Sequence, residues 1–346
     1  MTKPQRILLI RLDRIGDLLL TTPAVRALRL AFPRSYLAMV VRSAVVDAVA
    51  QNPDLDEVIS YDKEGSERGI WSTLQFARRL ARKAFDTAVI FHPTHRAHSL
   101  AFLAGIPRRI GFDRKLGFLL TDRLAHLKQQ GLKHEVDYSL DLLAPLGVAN
   151  GVERRPVFSL QEEDLRAVET FLTRERVDRS RLVVVHPGAS CISKRWPRDR
   201  FAQLADQVIT TLGAQVVFVS GAGDVPLCQE VLQQMHGQAL SLAGKTTVGE
   251  LAALLSMSRL LISNDSGPVH VAAAVGTPCV AIFGRSDPGL SPRRWGPLGP
   301  RDVVLHKDVG CAVCLAHKCQ IHFKCLTEIS VDEVLEQARR LLRVQS

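Results

Sequence analysis

The sequence predicts an α/β protein with two tandem Rossmann-like domains that face a central cleft, and three observations support this prediction. The chain has 346 residues, which is long for a single hydrophobic core, so two domains are expected. Short apolar runs typical of β-strands alternate with helical patterns in each half, which indicates parallel sheets. A polar, turn-rich stretch at 147–156 separates the two series, and we place the boundary after residue 155.

In the first domain, residues 1–155, the strands are short β-rich runs and the helices show one apolar face. The first run, 6–12, leads into the glycine-containing loop 13–17 and then into a helix with Pro23 near its start. The other predicted elements are strands at 36–41, 56–61, 86–91 and 108–112 and helices at 45–51, 71–85, 97–104 and 134–146.

The second domain, residues 156–346, repeats this alternation and ends in a helix. Neither first strand is followed by GxGxxG and the chain contains no GxxxxGK[ST], so dehydrogenase and P-loop nucleotidase functions lose their main support. The predicted elements are strands at 182–186, 215–220, 239–243, 260–263 and 279–284 and helices at 199–212, 224–236, 247–256, 267–275 and 331–344.

Composition and charge restrict the class of partner. The 46% apolar and 23% charged residues are typical of a soluble globular protein, and no apolar run approaches the roughly 20 residues of a membrane span. No signal-peptide core follows Met1, so we expect a cytosolic protein.

The positive charge is concentrated in the first domain. Residues 1–155 carry 24 Lys and Arg against 16 Asp and Glu and so hold most of the net charge of +10, which favours an anionic ligand at a membrane surface. Only 5% of residues are aromatic, which argues against nucleic acid.

The stretch 261–276, LISNDSGPVHVAAAVG, reads as a strand, a tight turn and a small-residue helix. Asp265 or Ser266 can cap this helix, and the proline after Gly267 suits its first turn. We expect the backbone N–H groups of Ser266, Gly267 and Val269 to be free at the positive end of the helix dipole, where a phosphate would bind. An ordinary capped helix gives the same pattern.

Two further polar loops follow strands of the second domain. The segment 186–197, HPGASCISKRWP, contains Lys194 as a point charge for a diphosphate, and the segment 220–224, SGAGD, ends in Asp224, which can accept from ribose hydroxyls. Each loop alone is weak evidence, because a loop lysine is usually only solvated. Three such loops at the same end of one sheet indicate a nucleotide site.

Five segments stand together in the order of one known family's motifs: RLDRIGDLLLTTPAVRAL (11–28), HPGASCISKRWP (186–197), LAGKTTVGELAALL (242–255), NDSGPVHVAAAVGTPCVAIFG (264–284) and SDPGLSP (286–292). With these motifs the chain resembles, over nearly its full length, the lipopolysaccharide heptosyltransferases of glycosyltransferase family 9. The resemblance implies a GT-B fold, with the nucleotide sugar bound by the second domain and the acceptor by the first. It implies inverting transfer of L-glycero-D-manno-heptose from ADP-heptose to the lipid A-Kdo inner core or its heptosylated form, with no cofactor or metal required.

On the acceptor side, Asp17 of Ile15-Gly16-Asp17 matches the family's catalytic carboxylate. An inverting transfer needs a base that takes the proton from the attacking hydroxyl, and a carboxylate at the mouth of a strand can do so. A helix cap is the other interpretation of Asp17, and Asp13 is a second candidate for the base.

On the donor side, Lys194 matches the phosphate-binding lysine of the family's K-x-W-P motif, where it would offset charge on the departing ADP. Asp265 matches the first residue of D-[ST]-G-x-x-H and would accept from donor sugar hydroxyls. His270 closes that motif, either touching phosphate, fixing the turn or serving a purely structural role. Ser190 lies near the family's phosphate-contacting hydroxyls, and Thr246 lies near a position that borders the adenine.

Two alternatives to heptose transfer from ADP-heptose stay open. Some family members carry a glutamate after the glycine-rich loop to hold the ribose, whereas this chain has Asp224, so the carrier nucleotide is less firmly indicated. A member that moves another nucleotide-activated sugar, or a non-catalytic nucleotide-sugar-binding protein, would share these motifs. The acceptor loops 62–70 and 92–98 carry no readable code.

Basic residues in the first domain suggest where an anionic glycolipid acceptor would bind. We assign acceptor contact to Arg108 and Arg109 and expect peripheral contact with the cytosolic face of the inner membrane. Any single arginine on the 71–85 helix is more simply read as solvated. The full basic set is Arg78, Arg79, Arg82, Lys83, Arg108, Arg109, Arg114 and Lys115.

All seven cysteines lie in the second half, and an odd number in a cytosolic chain argues against a disulfide framework. Four thiols could hold a tetrahedral zinc ion, but the spacing here is irregular beside a zinc ribbon. We expect a reduced thiol cluster without metal. The residues concerned are Cys311, Cys314, Cys319 and Cys325, interleaved with His317 and His322.

Overall fold

The computed structural model divides the chain into two compact units. The first unit comprises the chain up to Gln129 together with Lys133–Ser159, and the second comprises Gln130–Leu132 and the chain from Leu160 onward. No helix in the described part of the chain is long and apolar enough to cross a membrane. The described residues are 3–148, 151, 153–311, 314 and 318–343.

The first unit is built on a six-stranded parallel sheet with strand order β3-β2-β1-β4-β5-β6. Its strands are β1 (Arg6–Arg11), β2 (Tyr36–Arg42), β3 (Glu57–Tyr61), β4 (Thr87–Ile90), β5 (Arg108–Asp113) and β6 (Asp122–Ala125). Its helices are α1 (Ile15–Leu19), α2 (Thr22–Ala31), α3 (Ile70–Ala81), α4 (His95–Leu103) and α5 (Glu135–Asp141).

The second unit contains a second six-stranded parallel sheet, with strand order β12-β11-β10-β7-β8-β9. Its strands are β7 (Leu182–His186), β8 (Gln215–Phe218), β9 (Leu240–Ser241), β10 (Leu260–Asn264), β11 (Cys279–Phe283) and β12 (Val303–His306). Its helices are α6 (Glu162–Arg174), α7 (Arg198–Leu212), α8 (Val225–Gln233), α9 (Val248–Ser256), α10 (Gly267–Val275), α11 (Pro292–Trp295), α12 (Lys324–Thr327) and α13 (Val331–Arg343).

Both sheets have the same Rossmann order, because in each the first and fourth strands of the unit are neighbours at the centre. The order reverses between β1 and β4 in the first unit and between β7 and β10 in the second. Open α/β sheets bind ligands outside the carboxyl ends of the strands at this switch point. The predicted α/β class with two tandem Rossmann-like units, as in the GT-B fold, is confirmed.

Apolar strands buried on both faces hold these sheets together. Ile7–Ile10 of β1 and Leu260–Ile262 of β10 are fully buried, as expected for parallel strands covered by helices on both sides. In the first unit Phe76 and Leu80 of α3 and Leu100 of α4 pack on one face of the sheet. The rigid centre of each sheet therefore positions the loops that follow its strands.

Several elements differ from the sequence-based prediction. The edge strands β6 and β12 were not predicted, because they have only four residues each. Helix α6 was also missed, although its three acidic N-terminal residues are typical of the start of a helix. The segment predicted as a helix at 45–51 is a 3-10 helix at Ser43–Ala48 with a non-helical Val45. β-Branched valines at 45 and 46 disfavour a regular α-helix there.

Candidate active site

The switch point of the first unit holds a cluster of three carboxylates around one buried guanidinium. Arg11 ends β1 and is 2% exposed, and its Nε lies 3.0 Å from Asp13 Oδ2. Its Nη2 lies 3.1 Å from Asp17 Oδ1 and 3.2 Å from Glu135 Oε1. Lys128 adds a second cation, with Nζ 2.7 Å from Glu135 Oε1. The cluster therefore contains more carboxylates than cations.

The two aspartates of this cluster differ in basicity. Burial raises the pKa of Asp17, with Arg11 opposing the shift and the carboxylates of Asp13 and Glu135 reinforcing it. Burial also disfavours the charged form of Asp13, but Arg11 and a short contact with the His92 ring outweigh it and hold the pKa of Asp13 below its usual value. Asp17 is thus the more basic of the pair, which suits proton acceptance.

Asp17 does not cap a helix. It lies within the first turn of α1, whose N-cap is Arg14, and no side chain caps that helix. The Asp17 side chain keeps 24% of its surface exposed, against 11% for Asp13. Of the two candidate bases, Asp17 is therefore the more accessible to a ligand, and the alternative interpretation as a cap is wrong.

In the second unit the loops after β7, β10 and β11 converge on one buried carboxylate. Lys194 Nζ lies 2.8 Å from Asp265 Oδ2, and Arg285 Nη2 lies 3.3 Å from the same oxygen. The Asp265 side chain is 5% exposed. Two cations thus share one carboxylate, and this excess positive charge suits a diphosphate.

The turn before α10 is held by a buried, neutral histidine. Ser266 is the N-cap residue, but its side chain does not cap the helix. Its Oγ instead lies 3.1 Å from His186 Nδ1, which also lies 3.2 Å from Ser263 Oγ. Burial lowers the pKa of His186 to about 4, so the ring is neutral near pH 7.

The expectation for the amides of this turn needs one correction. The Val269 N–H is not free, because it donates to the Ser266 carbonyl at 3.2 Å. Ser266 and Gly267 stand at the N-terminus of α10, where the first amides of a helix lack intrahelical acceptors and the dipole favours an anion. The predicted anion-binding turn thus reduces to two amides.

The loop after β7 is fixed to both of its neighbours. Asn264 Nδ2 donates to the Pro187 carbonyl at 2.7 Å, and Asn264 Oδ1 accepts from the Trp196 N–H at 3.0 Å. On the other side Arg195 Nη2 lies 2.7 Å from Asp224 Oδ1. A Cβ on Gly188 would lie 2.6 Å from Asp224 Oδ2, so only glycine allows this approach.

The remaining predicted donor residues lie on or beside these loops. Ser190 is exposed and His270 is buried in the first turn of α10. Thr246 directly precedes Thr247, the N-cap of α9. The Gly244 N–H donates to the Ser220 carbonyl at 2.8 Å, so the segment that carries Thr246 borders the loop that ends in Asp224.

Arg108 and Arg109 lie away from the carboxylate cluster. They begin β5 and therefore stand at the amino edge of the sheet, whereas Asp17 follows the carboxyl end of β1. Arg108 bonds both oxygens of Asp122, and Arg109 donates to the Leu119 carbonyl at 2.6 Å. Both guanidinium groups are engaged in structural bonds at the opposite edge of the sheet, and their assignment to the acceptor stays a prediction.

None of the seven cysteines, all of them described, forms a disulfide. Cys311, Cys314, Cys319 and Cys325 are half-buried, and burial together with the other three thiols raises the pKa of Cys325. The described residues contain no group of three or more His, Cys, Asp or Glu that could hold a metal ion. His317 lies outside the described residues.

Sequence reasoning did not find the residues that organise the two sites. Arg11, Glu135 and Lys128 surround Asp17, and Arg285 and His186 hold the second site. The available signal for Arg11 was an arginine at the end of an apolar run, two and six residues before Asp13 and Asp17. Glu135 gave no such signal, because it is 124 positions from Arg11 in the sequence.

Two Rossmann-like units, one with a carboxylate cluster and the other with two cations around one carboxylate, fit a glycosyltransferase. The model of glycosyltransferase family 9 (heptosyltransferase) matches residues 73–324, and the chain belongs to this family. Lipopolysaccharide heptosyltransferase 2 of Salmonella typhimurium is 26% identical, with 97% of this chain and 98% of the relative covered. Lipopolysaccharide heptosyltransferase 3 of Escherichia coli K12 is also 26% identical, with 94% and 95% covered.

Solved structures agree with this assignment. The family 9 glycosyltransferase of Veillonella parvula superimposes with a TM-score of 0.89 at 30% identity, covering 99% of this chain and 98% of that one. The E. coli ADP-heptose lipopolysaccharide heptosyltransferase II gives a TM-score of 0.83 at 24% identity, covering 99% of both chains, and shows the fold. The predicted family and its glycosyltransferase class are confirmed.

Proposed function

We propose that this enzyme transfers L-glycero-D-manno-heptose from ADP-heptose to the inner core of lipopolysaccharide, with inversion and without a metal or other cofactor. The acceptor would be the lipid A-Kdo glycolipid or its heptosylated form, met at the cytosolic face of the inner membrane. The observation that carries the proposal is the raised pKa of Asp17 in a carboxylate-rich switch point, in a chain whose other switch point is rich in cations.

In the first unit, Asp17 acts as the general base. The acceptor hydroxyl oxygen attacks the anomeric carbon of the heptose while its proton passes to the Asp17 carboxylate. Burial, together with the charges of Asp13 and Glu135, keeps Asp17 basic, and Arg11 fixes the orientation of its carboxylate. Asp13, paired with Arg11 and His92, stays ionised and holds its charge beside the base.

In the second unit, cations and helix amides receive the leaving group. As the bond between the anomeric carbon and the β-phosphate oxygen breaks, negative charge grows on ADP. Lys194 and the amides of Ser266 and Gly267 would stabilise this charge, and Asp265 would orient the sugar by accepting from its hydroxyls. Asp224 would reach the ribose, with Ser190 near the phosphates, Thr246 near the adenine and His270 supporting the turn.

Two measurements test the proposal. Thermal shift with a panel of nucleotide sugars should give the largest stabilisation with ADP-heptose, because a ligand that binds only the folded state raises the melting temperature. Release of ADP on addition of lipid A-Kdo glycolipid should then show turnover. A larger shift with another nucleotide sugar would reassign the donor, and binding without ADP release would indicate a non-catalytic protein.

A further inference from the structure

The most exposed apolar side chains of the described residues stand next to each other at the start of α3. Ile70 is 80% exposed and Trp71 is 78% exposed. Single exposed apolar residues are common. Two adjacent large apolar side chains in water, however, lack the favourable free energy that burial of their apolar surface would give. Tryptophan at such a site is typical of membrane interfaces, where its ring lies among lipid headgroups.

The same face of α3 carries positive charge. Trp71, Gln75, Arg78 and Arg82 follow each other at spacings of four, three and four residues, so they form one stripe, and all four are exposed. Neither Arg78 nor Arg82 pairs with an acidic side chain among the described residues. The nearby Glu67 is occupied by Arg79, with Nη2 2.8 Å from Oε1, so it leaves the two arginines uncompensated.

The start of α3 is tied to the edge of the sheet that holds Asp17. Lys63, in the loop between β3 and α3, donates from Nζ to the Leu12 carbonyl at 2.8 Å, one residue before Asp13. Arg96 of α4 donates to the carbonyls of Lys63 and Arg68 at 3.0 and 2.9 Å. The loop that leads into Ile70 and Trp71 is therefore bonded to the backbone directly after β1, beside the residues of the carboxylate cluster.

We infer that the α3 stripe, defined as Trp71, Gln75, Arg78 and Arg82 together with the adjoining Ile70, docks the enzyme on an anionic phospholipid bilayer. Ile70 and Trp71 would enter the headgroup region while Arg78 and Arg82 pair with lipid phosphates. A bilayer fits this surface because it offers apolar and anionic groups together over a flat area. The inference rests on the proposed function in one respect, namely that such docking would bring a membrane-embedded acceptor to Asp17.

Cosedimentation of the full-length protein with vesicles tests the inference without turnover. The protein should bind vesicles of phosphatidylcholine in which about 30% of the lipid is phosphatidylglycerol, because this fraction gives a strong negative surface charge. It should not bind vesicles of pure phosphatidylcholine. Emission from Trp71 should shift to the blue on binding. Because Trp196 and Trp295 remain in the chain, the variant W71F identifies the signal.

Matched variants separate the stripe from the overall charge. R78E/R82E should weaken vesicle binding at least about 25-fold, since each cation near an anionic surface raises the affinity about fivefold. R34E/R123E makes the same change in net charge at exposed arginines outside the stripe and should bind within about twofold of wild type. I70S/W71S should weaken binding at least about tenfold, whereas L30S, at a 61% exposed leucine of α2, should not.

Several outcomes would overturn the inference. One is equal binding of the protein to neutral and anionic vesicles. Another is an equal loss of vesicle affinity in R78E/R82E and R34E/R123E, and a third is an unchanged vesicle affinity of I70S/W71S. If the protein fails to bind vesicles but releases ADP with a detergent-solubilised acceptor, docking is refuted while the proposed function stands. If it binds vesicles through the stripe but transfers no heptose, the surface is retained and the proposed function is refuted.

Discussion

The two switch points stand on sheets with the same strand order, but their charge balance is opposite. In the first unit, Asp13, Asp17 and Glu135 surround Arg11 and Lys128. Burial, reinforced by the carboxylates of Asp13 and Glu135, raises the pKa of Asp17. In the second unit two cations, Lys194 and Arg285, meet the single carboxylate of Asp265. The two proposed roles, proton acceptance and anion binding, would thus depend on the loops and not on the shared Rossmann topology.

The largest expected effect separates these two roles. Asp17→Asn keeps the size of the side chain but cannot take a proton, so kcat should fall by about 10²–10⁴-fold while the Kd for ADP-heptose changes by less than about twofold. Asp13→Asn is the matched control and should lower kcat much less, because Asp17 remains. Steady-state kinetics and calorimetric titration of the donor measure both. An Asp17→Asn enzyme with more than half of the wild-type kcat would move the base elsewhere.

A second prediction concerns stability and the buried ring of His186. Its folded pKa of about 4 lies below the ordinary value of 6.5, so between pH 6.5 and 4 the unfolded chain takes up a proton that the folded chain does not. The free energy of unfolding should therefore fall by up to about 3 kcal/mol as pH drops through this window.

The substitution His186→Gln should remove the part of that pH dependence that His186 causes, since the amide does not titrate. His98 in the first unit, whose pKa burial also lowers to about 4, should keep its own part. Denaturant unfolding at a series of pH values measures the slope. His236→Gln, at an exposed histidine of the same unit, is the control and should leave the slope as in wild type. An unchanged slope in His186→Gln would show that another group causes the acid destabilisation.

The sequence predicted the position of both sites but not their charge balance. The strands before Asp17, Lys194 and Asp265 were visible as apolar runs, and parallel strands bring their carboxyl ends to one edge. Which partners face each carboxylate depends on contacts across more than a hundred residues, as between Arg11 and Glu135. No local pattern encodes such a contact.

The same limit explains why the structural partners of Arg108 and Arg109 were not predicted. The positive charge of these arginines was visible in the sequence, but their hydrogen-bond and ion-pair partners were not. Arg108 is bound to Asp122 on the neighbouring strand β6, whose four residues were too short and too polar to be predicted. A cation whose acidic partner lies on an unrecognised strand looks free in the sequence.

A third, smaller effect tests the cation-rich site. Lys194→Ala should lower kcat/KM by about 10²-fold, because the ammonium would contact the diphosphate in the ground state and the departing ADP later. The Kd for ADP-heptose should rise as well, which Asp17→Asn does not cause. Lys245→Ala, an exposed lysine between β9 and α9, serves as control and should resemble wild type. Equal donor affinity in Lys194→Ala and wild type would show that Lys194 serves only its ion pair with Asp265.

The smallest expected effect concerns the fit of two loops in the second unit. The Cβ in Gly188→Ala would displace the Asp224 carboxylate from Arg195, and we expect a loss of about 1 kcal/mol in the free energy of unfolding and weaker donor binding. Gly223→Ala is the matched control, since a Cβ there meets nothing within 4 Å. Denaturant unfolding and donor titration compare them. Equal stability and equal donor affinity of the two variants would show that the close approach of Gly188 and Asp224 is needed neither for folding nor for donor binding.

The most direct test of the division between base and anion site is the pH dependence of kcat at saturating donor. Since the pKa of Asp17 is raised, kcat should fall on the acid side with an apparent pKa above 3.8, the ordinary value for aspartate, while the Kd for ADP-heptose stays level over the same range. In Asp17→Asn the residual kcat should lose this acid limb. An acid limb that persists in Asp17→Asn, or that appears equally in donor binding, would contradict the assignment of Asp17 as the base.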